Sequence, residues 1–128
     1  MEKKTKVFDE KDWEIVTLMK ELGFNSDEAK VLVCLAESEE TITSREIETV
    51  ADMSQPMVST ALRSLRKQGL VKRKEHKTPG KGRPQIDNWA TMKLIDIVEM
   101  LVKRKKNQIE ALNKKMDRLR HLSEKVSC

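Results

Sequence analysis

The sequence predicts a mainly α-helical fold with a small β-hairpin, followed by one long C-terminal helix. Of its 128 residues 37% are charged and only 3% are aromatic, with no tyrosine. This composition favours helices, because Lys, Glu, Leu and Met are good helix formers while aromatic strand formers are scarce. Apolar residues recur at helical spacing in five segments. We therefore expect a domain over residues 8–90 and a helical extension over residues 91–128.

The first two helices are marked by their ends. Phe8 and Trp13 flank a predicted helix start at residue 9, and this spacing favours a hydrophobic staple. Gly23 is expected to end that helix. Asn25 or Ser26, both good N-caps, begins the second helix.

The third and fourth helices form a predicted helix-turn-helix. Thr43 and Glu46 have the spacing of a capping box, which opens a short third helix. Residues 52–54 make a three-residue turn, and we expect Ser54 to cap the fourth helix. Gly69 is expected to end it. Two helices joined by so short a turn are typical of nucleic-acid recognition.

A β-hairpin and a long helix follow. Residues 70–77 and 85–89 are predicted strands, and the intervening loop contains two glycines and two prolines. Thr91 is expected to cap the last helix, which no Gly or Pro interrupts up to residue 128. Thirty-odd helical residues would extend about 50 Å.

The last helix carries an apolar seam that a domain of ninety residues is too small to cover. Its apolar residues follow steps of three and four, and Lys105, Gln108 and Lys115 interrupt them. A partner helix would bury such a stripe, so we expect a homodimer with parallel or antiparallel pairing. Helix 1 is expected to contribute to the same interface. The candidate dimerisation residues are Trp13, Leu94, Val98, Leu101, Ile109, Leu112, Met116 and Leu119.

The net charge of +5 is unevenly distributed. Residues 1–52 carry seven Lys/Arg against fourteen Asp/Glu, whereas residues 53–90 carry nine against two. Residues 91–128 carry ten against five. A basic middle segment within an acidic context indicates a polyanionic partner, and we expect double-stranded DNA.

The chemistry of the fourth helix and the hairpin suits duplex DNA. A helix fits the major groove, where short polar side chains and arginine contact base edges. The basic loop of residues 77–84, the predicted wing loop, would grip phosphates or enter the minor groove. The candidate DNA-contacting residues are Ser54, Gln55, Pro56, Ser59, Thr60, Arg63, Lys67, Arg73, Lys77, Lys81 and Arg83.

Three segments resemble known regulators over residues 12 to about 90. Residues 22–32 resemble the opening of TrmB-like archaeal regulators, and residues 54–71 resemble the recognition helix and strand entry of MarR, GbsR and TrmB-type winged helices. Gly82-Arg83-Pro84 resembles their wing tip. The resemblance implies a dimeric DNA-binding repressor or activator. We expect the chain to lack the C-terminal sugar-binding domain of full-length TrmB regulators, and we expect its last helix to be longer than in typical MarR proteins. The resemblance therefore implies neither a sugar effector nor the usual MarR ligand pocket, and any effector stays open.

Other classes of protein fit the sequence less well. No nucleophile or carboxylate pair is placed to work with His76, so we expect no enzyme and no cofactor. Cys34 and Cys128 belong to no CxxC pair, which argues against a metal site or a disulfide framework. The apolar runs are too short to span a bilayer and the N-terminus is charged, so we expect a cytoplasmic protein with no membrane partner. A DNA-coating architectural protein and a protein-interaction module remain alternatives to a sequence-specific regulator.

Overall fold

The computed structural model describes residues 7–38, 40–76 and 85–126. The chain divides into two compact units, residues 1–94 and 95–128. The elements are α1 (Glu10–Glu21), α2 (Ser26–Glu37), β1 (Ile42–Thr43), α3 (Ser44–Ala51), α4 (Gln55–Lys67), β2 (Val71–His76), β3 (Gln85–Ala90) and α5 (Leu94–Val126).

The ends of α1 match the sequence prediction. Asp9 is the N-cap of a capping box, in which the Asp9 carboxylate accepts from the Asp12 amide and the Asp12 carboxylate accepts from the Asp9 amide. The rings of Phe8 and Trp13 meet edge to face, with centroids 5.1 Å apart, which confirms the staple. Gly23 follows the helix at φ 106°, a conformation that glycine adopts without strain.

The helix α2 is the centre of the first unit. It packs against α1, α3 and α4, and six consecutive or nearly consecutive side chains between Ala29 and Leu35 are buried. Asn25 is its N-cap, since its side-chain oxygen accepts from the amides of Asp27 and Glu28. Each large apolar side chain that is fully buried, such as Leu32, contributes about 1.5–3 kcal/mol.

The helix-turn-helix is present as predicted. The side chain of Thr43 accepts from the Glu46 amide at 3.2 Å, and the Glu46 carboxylate accepts from the Thr43 amide at 3.1 Å. Asp52 begins the turn in the left-handed conformation at φ 51°. Ser54 is the N-cap of α4, but the prediction that its side chain caps the helix is wrong, because that side chain makes no capping hydrogen bond.

The sheet has three antiparallel strands in the order β1-β3-β2. The sequence predicted β2 and β3 with ends within one residue of those observed, whereas β1 was missed. In the sheet, Ile42 pairs with Asn88, and Asn88 pairs with Arg73 on its other side. A strand of two residues has too few positions to show alternation in the sequence, so β1 is recognised only from its pairing with β3 in the structure.

Thr91 does not cap the last helix, which corrects the sequence prediction. Its hydroxyl donates to the carbonyl of Gly69 at 2.8 Å, and its amide donates to the carbonyl of Leu70 at 3.0 Å. Thr91 thus fastens the end of β3 to the turn between α4 and β2. The helix α5 begins three residues later, at Leu94.

The second unit consists of α5, which contains 33 residues and extends about 50 Å. Its apolar side chains are exposed along much of its length, as at Ile109 (56%) and Leu112 (62%). An exposed apolar stripe of this length is unusual for a surface that faces only water.

Candidate nucleic-acid interface

The helix α4 presents a polar face to solvent. Its apolar residues Val58, Ala61, Leu62 and Leu65 are buried in the first unit. The opposite face carries hydrogen-bonding and cationic groups, which are the groups that contact base edges and phosphates. Its exposed side chains include those of Gln55, Thr60, Arg63 and Lys67.

The position of α4 is fixed at its C-terminal end. Gly69 has φ 78°, its amide donates to the carbonyl of Arg66, and the amide of Leu70 donates to the carbonyl of Leu65. These two bonds form a Schellman motif, which satisfies the last carbonyls of the helix. The chain then enters β2 directly, so that the basic strand lies beside α4.

A cleft of about 190 Å³ lies between α4, the start of α3 and the strands β2 and β3. Two arginines of different elements line it, Arg66 from α4 and Arg73 from β2. We refer to it as the arginine cleft. Its lining residues are Ser44, Gln55, Ser59, Leu62, Arg66, Arg73, Ile86 and Asn88.

Positive charge accumulates at the arginine cleft. Partial burial, followed by the nearby charges of Arg73 and Arg63, lowers the pKa of the Arg66 guanidinium. Arginine stays protonated at neutral pH even with a lowered pKa, so the positive charges of Arg63, Arg66 and Arg73 repel one another. Within the residues that the structure describes, none of the three forms an ion pair. An anion in the cleft would relieve this repulsion, and a phosphate fits the forked geometry of arginine.

Asn88 forms part of the cleft wall and is almost completely buried, with 1% of its surface exposed. Its Nδ2 donates to the carbonyl of Ile42 at 3.0 Å, which holds β1 and the following start of α3 in place. Its Oδ1 makes no hydrogen bond in the described structure. A buried amide is retained at a cost, and here it positions the elements that carry Ser44 and Arg73.

The structure brings together several of the predicted DNA-contacting residues. Gln55, Ser59 and Arg73 line one cleft, whereas Lys77, Lys81 and Arg83 lie outside the described residues. The exposed ones on or next to α4 are Ser54, Gln55, Pro56, Thr60, Arg63 and Lys67. Their contacts with DNA stay predictions.

Three polar members of the arginine cleft were not among the predicted DNA-contacting residues: Arg66, Ser44 and Asn88. Arg66 lies seven residues after Ser59, which places both on one face of α4, and this spacing was the available signal. Ser44 and Asn88 reach the cleft through the β1–β3 pairing, for which the sequence offers no local sign.

The predicted dimerisation residues divide by exposure. Leu94, Val98 and Leu101 are half-buried, and Trp13 on α1 is 38% exposed. Exposed positions on α5 are Ile109, Leu112, Met116 and Leu119. No helix of the described ranges is both long and apolar enough to cross a membrane.

The chain has two helices joined by a three-residue turn, a polar outer face on the second helix, and an adjoining strand pair whose first strand, β2, is basic. Together these features define a winged helix-turn-helix. This fold is common among DNA-binding transcriptional regulators. The chain belongs to the TrmB family, because residues 18–87 match the family model described as "Sugar-specific transcriptional regulator TrmB". This family consists of regulators and not of enzymes. No curated protein matches the chain significantly.

Solved structures of regulators share the fold. TrmBL2, described as an archaeal chromatin protein with a novel mode of DNA binding, is 25% identical with a TM-score of 0.60. That match covers 87% of this chain but only 42% of TrmBL2. A possible transcriptional regulator from Methanosarcina mazei Go1 is 12% identical with a TM-score of 0.58, covering 80% of this chain and 86% of the other. A MarR family transcription regulator is 15% identical with a TM-score of 0.51, covering 81% and 66%. The last two likenesses show the fold alone.

Proposed function

We propose that the protein is a sequence-specific regulator that binds double-stranded DNA as a homodimer. The observation that carries this proposal is the polar face of α4 beside the arginine cleft, which Arg66 and Arg73 line and where neither forms an ion pair within the described residues. The helix α4 would enter the major groove, and its exposed Arg63 has the length and fork to contact guanine. Each such bidentate contact contributes about 1–3 kcal/mol of discrimination between bases.

The arginine cleft and the wing loop would hold the DNA backbone. Arg66 and Arg73 belong to separate elements, so a phosphate between them would fix α4 relative to the duplex. Lys77, Lys81 and Arg83 of the wing loop, predicted from the sequence, would add phosphate or minor-groove contacts. Contacts of this kind set orientation and affinity, whereas those from α4 set sequence preference.

The exposed apolar side chains of α5 support the proposed homodimer. One winged helix makes few base contacts, whereas two copies related by a twofold axis would contact a palindrome. The half-sites would lie about one helical turn apart, or a multiple of that. Trp13 of α1 is partly exposed and is proposed to contribute to the same interface.

A second candidate function is architectural DNA binding with little sequence preference. The observation that favours it is the 25% identity to TrmBL2, described as a chromatin protein. A third interpretation, a winged helix used for protein interaction, fits less well, because the outer face of α4 is polar and cationic rather than apolar.

Binding to a selected duplex and to a random duplex, measured over a range of salt concentrations, separates these candidates. We expect log affinity to fall with log salt at about −0.9 per phosphate contacted. A sequence-specific regulator should prefer its selected site by about 10³-fold or more, whereas an architectural protein should show a ratio near one. A salt-independent affinity would contradict DNA binding through the basic surface.

A further inference from the structure

Most of the exposed apolar residues of α5 fall into one regular seam. Ile109, Leu112, Met116 and Leu119 are separated by steps of three, four and three, and each is about half exposed or more. The same steps extend the seam toward both ends of the helix. Its members between residues 95 and 123 are Ile95, Val98, Val102, Lys105, Ile109, Leu112, Met116, Leu119 and Ser123. A seven-residue repeat of this kind is the pattern of a coiled coil.

A parallel pairing of two copies would bring like charges together. Lys105 is the one charged member of the seam, and in a parallel pair it would face its own copy. Beside the seam, Lys115 of one helix would lie next to Arg120 of the other, twice in each dimer. Like charges at these flanking positions disfavour parallel pairing.

An antiparallel pairing about the middle of α5 avoids both conflicts. With Ile109 of one helix opposite Leu112 of the other, the symmetry centre falls between residues 110 and 111, close to the midpoint of Leu94–Val126. Lys105 then lies opposite Met116, where its methylene stem packs on an apolar side chain and its ammonium group reaches water. In this register the two helices contact each other over nearly their full length.

The charges beside the seam are complementary in this antiparallel register. Glu99 of one helix lies next to Arg120 of the other, twice in each dimer, and both side chains are exposed. Within its own helix Arg120 lies 3.8 Å from the carboxylate of Asp117, an exposed pair that leaves the guanidinium able to contact Glu99 as well. The remaining flanking pairs are Leu101 with Leu122, Lys106 with Asn113, and Gln108 with Lys115. This set therefore contains two attractive charge pairs and no like-charge pair.

Sliding the helices by one heptad destroys this complementarity. A shift in one direction places Lys106 next to its own copy. A shift in the other direction places Lys106 next to Arg120, and Lys115 next to its own copy. Of these three registers only the centred one is free of like-charge pairs, and a slide of two heptads would leave much of the seam uncovered. The charge pattern and the length of the overlap therefore specify direction and alignment together.

We propose that α5 pairs antiparallel with α5 of a second copy of this chain, centred between residues 110 and 111, with Glu99 beside Arg120 of the other copy. This inference rests on the homodimer of the proposed function and adds its direction and register. The exposed seam of α5 is thus covered by α5 of the other copy, which runs in the opposite direction.

Distances between spin labels test the direction of pairing. Cysteines introduced by Lys125→Cys or Lys114→Cys, in a Cys128→Ser background, carry the labels on outward positions of α5. Cys34 is buried and its pKa is raised to about 12, so it reacts slowly. In the antiparallel dimer the labels at residue 125 should lie about 45 Å apart, since each residue adds about 1.5 Å of rise. Labels at residue 114, near the centre, should lie about 20 Å apart in either direction and serve as the control.

Charge reversal tests the register. Glu99→Arg or Arg120→Glu alone should raise the dimer dissociation constant by about 5- to 30-fold at low salt, because two attractive pairs become repulsive. The double variant should return to within about 2-fold of the unmodified protein, and an equimolar mixture of the two single variants should form the heterodimer. Arg118→Glu, the same charge change at an outward position, is the matched control and should have little effect.

Three outcomes would overturn the inference. Labels at residue 125 within about 20 Å, together with a tighter dimer for Arg120→Glu, would show parallel pairing and leave the homodimer intact. A dimer dissociation constant that stays unchanged in both Glu99→Arg and Arg120→Glu would exclude this register. Sedimentation of the unmodified protein as a monomer at tens of micromolar would remove the dimer itself, whereas DNA binding by each winged domain is measured separately.

Discussion

Gln68 donates a hydrogen bond of 2.8 Å from its Nε2 to Oε1 of Glu28, so the end of α4 is joined to the first turn of α2. The hydroxyl of Ser64 donates to the same oxygen at 3.1 Å. One carboxylate oxygen therefore fixes two side chains of α4, one turn apart. Because these two bonds join the end of α4 to α2, we expect the orientation of the exposed residues of α4 to depend on Glu28.

Replacing Glu28 should loosen α4. Glu28→Ala removes the acceptor of two hydrogen bonds, and we expect the free energy of unfolding in urea to fall by about 1–2 kcal/mol. Operator affinity should fall as well, because the contacts of α4 lose their fixed orientation. Glu28→Gln retains an oxygen acceptor and is expected to lose less than half as much. Equal losses for both variants would show that the negative charge, and not the acceptor, matters.

Arg63 is expected to determine sequence preference. It is exposed on α4, and Arg63→Ala should weaken binding to a selected site by about 1–3 kcal/mol while relaxing base preference at one position. Arg83→Ala in the wing loop should instead weaken most sequences about equally, unless Arg83 contacts a narrow A·T-rich minor groove. A binding selection on randomised duplexes checks both variants. The two roles would be reversed if Arg83→Ala changed the selected sequence and Arg63→Ala did not.

The arginine cleft is expected to hold one backbone phosphate. Arg66→Gln or Arg73→Gln should weaken selected and random duplexes alike and reduce the salt slope by about one unit. If both arginines grip one phosphate, the double variant should lose less than the sum of the single losses. Arg118→Gln on α5 removes the same charge away from the cleft and is the matched control. Losses as large for Arg118→Gln would mean that net charge alone drives binding.

The parts of the fold that sequence reasoning predicted are those with local signals. The staple of Phe8 on Trp13 and the capping box of Thr43 and Glu46 arise from residues three to five positions apart, so their spacing is visible in the chain. Gly69 likewise marks the end of α4.

What escaped prediction depends on contacts between distant segments. Thr91 is a good N-cap by residue type, yet it bonds to Gly69, 22 residues away, and this tertiary contact moves the start of α5 to Leu94. The arginine cleft escaped for the same reason, because Arg66 and Arg73 meet only after β2 folds back beside α4. Ser54 failed as a side-chain cap although it occupies the N-cap position, and nothing in the structure explains why its hydroxyl is turned away.

Two turn residues with positive φ should respond in opposite directions to substitution. Asp52 adopts φ 51°, and Asp52→Gly should raise the free energy of unfolding by about 0.5 kcal/mol, since glycine adopts this conformation without strain. Asp52→Asn keeps the side chain but removes a negative charge at the C-terminus of α3, which separates charge from conformation. Gly69 adopts φ 78°, and a Cβ there would meet no atom within 4 Å. Gly69→Ala should therefore cost only the backbone strain, about 1 kcal/mol, and a larger loss would indicate a clash.

Cys34 makes the stability of the domain depend on pH in the alkaline range. Burial, followed by the negative charges of Glu37 and Asp12, raises the pKa of its thiol from 9.0 to about 12. The folded protein thus keeps the thiol proton at a pH where the unfolded chain releases it. Because the unfolded state binds fewer protons above pH 9, stability must fall as pH rises from about 9 toward 12.

The effect of Cys34 can be isolated by comparison with Cys34→Ala. Between pH 7.5 and pH 10.5 the thiol should lower the free energy of unfolding of the unmodified protein by about 2 kcal/mol. Each pH unit above the pKa of the unfolded thiol contributes about 1.4 kcal/mol. Cys34→Ala starts lower at pH 7.5 because it leaves a small cavity, but it lacks this part of the alkaline loss. Every other ionisable group is the same in both proteins, so its contribution cancels in the difference. Urea unfolding of both proteins at the two pH values gives that difference, and equal losses in the two proteins would mean that the Cys34 thiol is not held protonated by the fold.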